Sequence, residues 1–286
     1  MKKISILFSE SWNVAWRKKG TGSLLHDKKS IFHVIRNPIR YWAADPFLFE
    51  SKGKHYIFAE LYDYVKRRGT IGYYSFDQKK WISVIKEDYH LSYPYIFKRG
   101  NDIYLLPEAK GSSSLYMYRA VDFPDKWEKT KKLRNNVRYV DTTLFFGDAI
   151  EYALTYEIED YEKPSLMILD IHNQANDREI CLDEEKVKRP AGKFFLLKSV
   201  LYRPAQNCKE GYGKGLIFYK CDFSDNKYGE TQLKEIKINE LNLSKKMILD
   251  GMHTYNSDSE YEVIDIKTKR FNIIDFIFRL IKKMTG

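Results

Sequence analysis

Asp45, Tyr93 and Asp141 stand at equal intervals, 48 residues apart and then 48 again. Each opens a copy of one segment: ADPFLFESKGKHYIFAE from Ala44, SYPYIFKRGNDIYLLPE from Ser92 and VDTTLFFGDAIEYALTYE from Val140. Two carboxylates facing each other across a cavity suit chemistry at a glycosidic bond, where one group moves a proton at the bridging oxygen and another activates the nucleophile on the opposite side of the ring. Asp45 is expected as the base and Asp141 as its partner. Glu60 and Glu108 end the second strands of the first two copies. Glu108, behind Pro107, suits a catalytic proton donor if burial raises its pKa, and Glu60 should line the same mouth.

His90 in HLSYP and His253 in GMHTY sit just before inner strands, where an imidazole can bind a hydroxyl or shuttle a proton. Tyr93 takes the acidic position in the second copy. Arg189, Arg203 and Gln206 fall together in a fourth unit, and an Arg fork there would suit a phosphate, diphosphate or uronate. Each of these residues also has a structural alternative. Asp before Pro can cap a strand start, Glu can pair with a neighbouring cation, a loop His can be internally satisfied, and Arg can tie adjacent units together.

A period of this length, built of hairpins without helical spacing, is the signature of a propeller blade. Blades 1 and 2 each show four strands, with Trp81 and Trp127 opening the outermost ones. Blade 3 has an irregular fourth strand around REICLDE, and blade 4 starts near RPAGKFFLL. A fifth unit opens at GMHTYN and runs through YEVIDIK with only two strands of its own. A ring cannot end on an open edge, so KISILFS and SIFHVIR near the N-terminus should complete it. The fold expected is all-β, a five-bladed β-propeller over residues 1–268 closed by N-terminal strands. With a channel radius of ~5 Å, residues on blades 1 and 3 lie about 9 Å apart, within the range for single-displacement chemistry.

After Lys269 the apolar period shifts to that of a helix, giving a C-terminal amphipathic helix over residues 269–286. Phe271, Ile274, Ile277, Phe278 and Ile281 form its stripe, flanked by Arg270, Arg279, Lys282 and Lys283. Such a helix can dock across the propeller or lie at a membrane interface.

The net charge of +10 would favour polyanions, but Lys and Arg are scattered without an RNA-binding fingerprint, zinc finger or basic-region helix, so no nucleic-acid partner is expected. Cys181, Cys208 and Cys221 lack metal-ligand spacing and read as reduced thiols. No metal or other cofactor is expected. The N-terminal apolar run is too short for a secretory segment, which places the chain in the cytoplasm, with the inner membrane face as a possible peripheral site. GYGKG at Gly211 reads as a hairpin turn, and DSDSE at Asp258 as a turn instead of a metal motif.

WAADPFLFESKGKHYIFAE, HLSYPYIF, YLLPE, VDTTLF, RPAG, LYRPAQNC and GMHTYN resemble the propeller domain at the N-terminus of plant glucosamine inositolphosphorylceramide transferases and in stand-alone bacterial proteins. The resemblance runs from Trp42 to Asn256. More distantly the chain is similar to five-bladed arabinofuranosidases and β-xylosidases. The plant proteins carry their glycosyltransferase domain after the propeller, so transferase activity is not implied by the matched region. The glycosidases imply a base on blade 1, which Asp45 matches; blades 2 and 3 offer Tyr93 and Asp141 where their orienting Asp and acidic Glu would stand. These readings imply a sugar or glycan substrate, nucleotide- or lipid-linked in one version. Glycosyl transfer in surface polysaccharide or glycolipid assembly is favoured, with a furanosidase or xylosidase, or a non-catalytic glycan-binding module beside a transferase, as alternatives.

Overall fold

The computed structural model describes residues 8–20, 23–146, 151–158, 165–180, 188–224 and 227–285. Short strands of alternating apolar and polar residues, separated by Gly, Lys and Asp turns, pair into five antiparallel sheets. Blade 1 runs outward from the axis as Tyr41–Ser51, Lys54–Asp63, Arg68–Ser75 and Lys80–Ile85. Blade 2 repeats the order with Ser92–Arg99, Asp102–Glu108, Ser114–Asp122 and Lys126–Asn135. Blade 3 has Tyr139–Phe146, Glu151–Glu157, Ser165–Asp170 and the short Arg178–Ile180, and Cys181 lies outside the described residues. Blade 4 comprises Phe195–Leu197, Val200–Asn207, Gly215–Ser224 and Lys227–Ile236.

The fifth blade joins the two ends of the chain. Its inner strands are the interrupted pair Leu249–Gly251 and Tyr255–Ser257, then Tyr261–Arg270; Ser9–Lys18 and His33–Val34 lie outside them. Ser9–Lys18 pairs with Tyr261–Arg270 along its whole length, from Ser9 opposite Arg270 to Lys18 opposite Tyr261. The strand that pairs there is SESWNVAWRK, and the expected KISILFS lies outside the described residues except for Phe8 and Ser9. An apolar pattern does not declare this strand, because its inward residues include Ser11 and Asn13, both buried in polar contacts.

Apolar faces of neighbouring blades pack on each other. Phe47, Phe58, Ile71, Leu91, Ile96 and Leu105 form one buried cluster across blades 1 and 2, and Leu216, Phe218, Met252, Ile264 and Ile266 another across blades 4 and 5. Each such side chain contributes about 1.5–3 kcal/mol by leaving water.

The 48-residue repeat carries one further local feature. In blades 1 to 3 the inner strand bulges at the same place, between Ala44 and Phe47, Ser92 and Tyr95, and Val140 and Thr143. The bulged residues Asp45, Tyr93 and Asp141 have φ of 50°, 45° and 54°. A left-handed residue costs about 1–3 kcal/mol unless its surroundings hold it, and a bulge re-aims a side chain. Here the re-aimed side chains point to the axis.

Candidate functional site

Asp45 is buried, and every group around it comes from another part of the ring. Thr254 Oγ1 donates to its Oδ1 at 2.9 Å, the Tyr93 backbone N–H to its Oδ2 at 3.2 Å, and His253 Nε2 stands 3.6 Å from Oδ1. His253 is held from its other side by Asp265, with Nδ1 2.5 Å from Oδ2. Asp265 also accepts the backbone N–H groups of His253, Thr254 and Asp45. Trp12 stacks on the His253 imidazole with centroids 4.1 Å apart, and Tyr212 meets the ring edge-on at 5.2 Å.

Burial pushes Asp45 up to about 6; the His253 charge opposes this and the Asp141 and Asp265 charges add to it. Burial works to lower His253, but the adjacent Asp265 and Asp45 outweigh it and raise its pKa above the usual 6.5. The unit is an imidazole held between two carboxyl groups, which favour its charged form. Asp45, His253 and Asp265 are also the one group of potential metal ligands whose atoms lie within 4.8 Å of one another among the described residues. The direct His253–Asp265 contact occupies the space between two of the three, so an ion there would have to part them.

A second unit lies across the axis. Asp141 Oδ2 accepts Gln206 Nε2 at 2.8 Å and pairs with Arg189 Nε, while Arg189 Nη2 lies 3.6 Å from Glu108 Oε2. Gln206 also donates to the Pro190 carbonyl at 3.2 Å. Arg189 thus bridges the acids of blades 2 and 3, and its charge is already met by two carboxylates.

Glu60 forms the third unit. It occupies in blade 1 the register position that Glu108 occupies in blade 2, opposite Ala44 and Ser92 respectively. Its Oε1 is buried without a hydrogen-bond partner, 3.4 Å from His90 Nε2. The Gly69 backbone N–H donates to His90 Nδ1 at 3.0 Å, which leaves Nε2 to carry the proton of the neutral ring. Gly69 is required here, since a Cβ would stand 2.4 Å from the Leu91 carbonyl oxygen as well as 2.5 Å from Glu60 Oε1. Burial, with the negative charges of Asp45 and Glu108 nearby, raises Glu60 well above the usual carboxylate range.

Tyr93 closes the centre below these groups. Its backbone belongs to blade 2, its ring packs edge-on against Phe47 of blade 1, and its hydroxyl lies 2.7 Å from Thr143 Oγ1 of blade 3. The Gly192 N–H of blade 4 donates to the same hydroxyl at 2.7 Å. Tyr93 is fully buried, and its ring and hydroxyl tie blades 1 to 4 together beneath the carboxylate cluster.

Asp45, Glu60, His90, Glu108, Asp141, Arg189, Gln206 and His253 therefore converge at one end of the axis. Arg203 does not join them. Its buried guanidinium pairs with Glu230 at 2.6 Å, with Tyr228 and the Lys188 carbonyl adjoining, and ties the strands of blade 4 together. The residues reaching solvent above the cluster are His90, Arg189 and Tyr212.

Asp265, Trp12, Thr254 and Tyr212 were not anticipated from sequence. Asp265 lies mid-strand in EVIDIK, and a lone acid between apolar residues was its only signal. At the rim, Trp42 and Tyr62 stack with centroids 4.7 Å apart and planes 8° from parallel, both half-buried, and Tyr62 lies 6.4 Å from His90. Asp258, in DSDSE, caps its own turn by accepting the Glu260 and Tyr261 N–H groups.

Solved structures similar to this chain include the catalytic domain of the Coprinopsis cinerea GH62 α-L-arabinofuranosidase, at a TM-score of 0.56 and 9% identity, covering 78% of this chain and 90% of that one. At that identity the likeness concerns the fold. By sequence, the chain is 28% identical over 213 residues to "Glucosamine inositolphosphorylceramide transferase 1" of Oryza sativa subsp. indica, and 28% identical over 206 residues to the protein of that name in Arabidopsis thaliana. These matches take in 69% and 66% of this chain but only 28% and 27% of the relatives' own length. The family described as "Glucosamine inositolphosphorylceramide transferase 1, N-terminal" matches residues 35–268. The match takes in blades 1 to 4 and the C-terminal strands of blade 5, well over half of the chain, and the chain belongs to that family.

Proposed function

We propose that the cluster acts on a glycosidic linkage of a glycan or glycolipid by single displacement, with transfer of the sugar favoured over its hydrolysis. The observation that supports this most is the unequal environment of Asp45 and Glu60. Asp45, at about 6 and beside His253, is ionised at neutral pH and suits the base that takes a proton from the attacking hydroxyl. Glu60, raised well above the carboxylate range, keeps its proton and suits the acid that delivers it to the leaving oxygen. Glu108, first expected as that acid, is instead engaged with the Arg189 guanidinium at 3.6 Å. Glu108 and Asp141 are then assigned to holding Arg189 and the substrate's hydroxyls.

Acids outnumber cations on this floor, and Arg189 is already paired. That favours a neutral or amine-bearing sugar over a bare phosphate, and the family name carries glucosamine. The Trp42–Tyr62 pair offers a flat apolar face at the rim, where a pyranose ring can stack.

The deciding experiment measures sugar release from aryl furanosides and xylosides, and sugar transfer to inositol-phosphate lipids, in the protein and in Asp45→Asn. Loss of turnover by about 10³-fold or more, with the fold and glycan binding intact, is expected; unchanged turnover removes the proposal. A non-catalytic glycan-binding module is the second reading, favoured by one observation: both oxygens of Asp45 are already engaged within the protein. Calorimetric binding of a glycan with no product after prolonged incubation would establish it.

A further inference from the structure

The C-terminal helix, Ile273–Thr285, is docked the wrong way round for a helix that only belongs to a soluble core. Asn272 caps it, accepting the N–H groups of Ile274 and Asp275, and donates to the Ile39 carbonyl at 2.8 Å. Asp275, one turn on, is buried and pairs with Arg67 of blade 1 and with Arg279 at 3.0 Å. Positions 272, 275 and 279 share one face, and that polar face meets the propeller. The opposite stripe, Ile273, Ile277, Leu280, Ile281 and Met284, is exposed, rising to 85% at Met284. An amphipathic helix in water buries its apolar stripe and exposes its polar one. This helix does the reverse.

At its root lies a cavity of about 490 Å³. Its walls carry Arg36, Lys245 and Arg270 among Ile39, Met247 and Phe271, with no Asp or Glu. Neither these three cations nor Lys282 and Lys283 near the helix end have an ion-pair partner among the described residues. Asn37, buried in the same wall, leaves its Oδ1 without a hydrogen-bond partner and so offers an acceptor to a hydroxyl or ammonium.

We infer that this helix and the basic cavity at its root are a docking surface for a bilayer containing anionic phospholipid. The apolar stripe enters the interface, and the cavity takes a phosphate headgroup. An apolar face flanked by cations selects a lipid surface of opposite charge, and no helix of the described residues is long and apolar enough to cross a membrane. The surface lies at the same end of the ring as the carboxylate cluster. Tyr41 pairs with Asp63 and Ala44 with Glu60, so the turn holding Arg67 follows only a few residues beyond Glu60 on the mouth side. Docking would present the mouth to headgroups of lipid-linked sugars. The inference goes beyond the catalytic reading and stands without it, because vesicle binding needs no turnover.

Flotation of the full chain with phosphatidylcholine vesicles, with and without phosphatidylglycerol, tests it at 0.15 M salt. Binding is expected only to the anionic vesicles. Arg36→Ala, Lys245→Ala and Arg270→Ala should each weaken it about fivefold, and Ile277→Asp with Ile281→Asp should abolish it without changing the melting temperature. Lys282→Glu with Lys283→Glu gives an independent pair of changes on exposed positions, expected to weaken binding at least as much. Failure of the chain to bind anionic vesicles would overturn the inference. So would binding unaffected by the stripe substitutions, or a dimer in solution that those substitutions split, which would put a second copy on the stripe.

Discussion

Asp45 shows how one residue couples activity to stability. Its folded pKa of about 6 lies above its ordinary 3.8, so the native state holds the proton more tightly than the unfolded chain does. The contribution of Asp45 to stability is therefore greatest below about pH 4 and declines as the pH rises towards 6. Glu230 behaves oppositely: paired with Arg203 and lowered to about 2, it stabilises above its ordinary 4.5, and that contribution is lost as the pH falls towards 2. Asp45→Asn removes the first dependence and leaves the second. Urea titrations at pH 4 and pH 7 should show the variant gaining on the native protein by on the order of 2 kcal/mol between the two; an equal change in both would mean that Asp45 is not held at a raised pKa. In turnover, the base must be ionised, so the rate should fall below about pH 6. Glu60→Gln should abolish the alkaline fall of the profile along with most of the rate, whereas Glu108→Gln should retain that fall.

At the scale of elements, the five blades differ in how openly their sequences declare them. Blades 1 to 3 were legible because they keep one length, whereas the bulges that aim Asp45, Tyr93 and Asp141 were not read from the repeat although they fall at the same point of it. Blade 4 departs from the interval. Its equivalent point is the Pro190–Gly192 turn, where Gly192 has φ 142° and a Cβ would come 1.9 Å from the Tyr255 carbonyl. Blade 5 is assembled from both ends of the chain, so no local pattern could reveal that Trp12 covers His253 or that Val14 faces Asp265. Glu60 and Glu108 were visible as a pair, yet sequence could not rank them, because the choice turns on whether Arg189 or His90 stands beside each. The closing strand depends on a buried polar knot: Arg17 and Glu262 pair at 2.6 Å, while Glu262 also accepts the Leu24 N–H at 2.7 Å and the Tyr255 hydroxyl at 2.5 Å. Glu262→Gln keeps the shape but leaves the Arg17 charge buried without its partner. A loss of about 3–5 kcal/mol is expected in chemical denaturation, and a loss below 1 kcal/mol would show that Ser30 and Asp27 suffice to hold Arg17.

For the whole molecule, ring closure and site assembly are one event. The inner strands of blades 1 and 5 meet through Asp45 and Asp265, and blades 2, 3 and 4 meet through the Tyr93 hydroxyl, so no blade holds a complete site. A chain starting at residue 19 would keep every carboxylate of the central cluster but lack the strand that pairs with Tyr261–Arg270 and the Trp12 ring that packs on His253. It would also leave a ten-residue strand edge unpaired, a ready template for association. The expected result is loss of the cooperative melting transition and of near-ultraviolet dichroism, with aggregation on sedimentation. A peptide of residues 8–20 added in trans should restore a monomeric ring, because the missing strand pairs antiparallel to an existing edge and needs no chain connection to do so. A truncated chain that stayed monomeric with an unchanged melting temperature would mean that the four complete blades hold the ring without the clasp. In that case the placement of His253 against Asp45 would have to come from Asp265 alone.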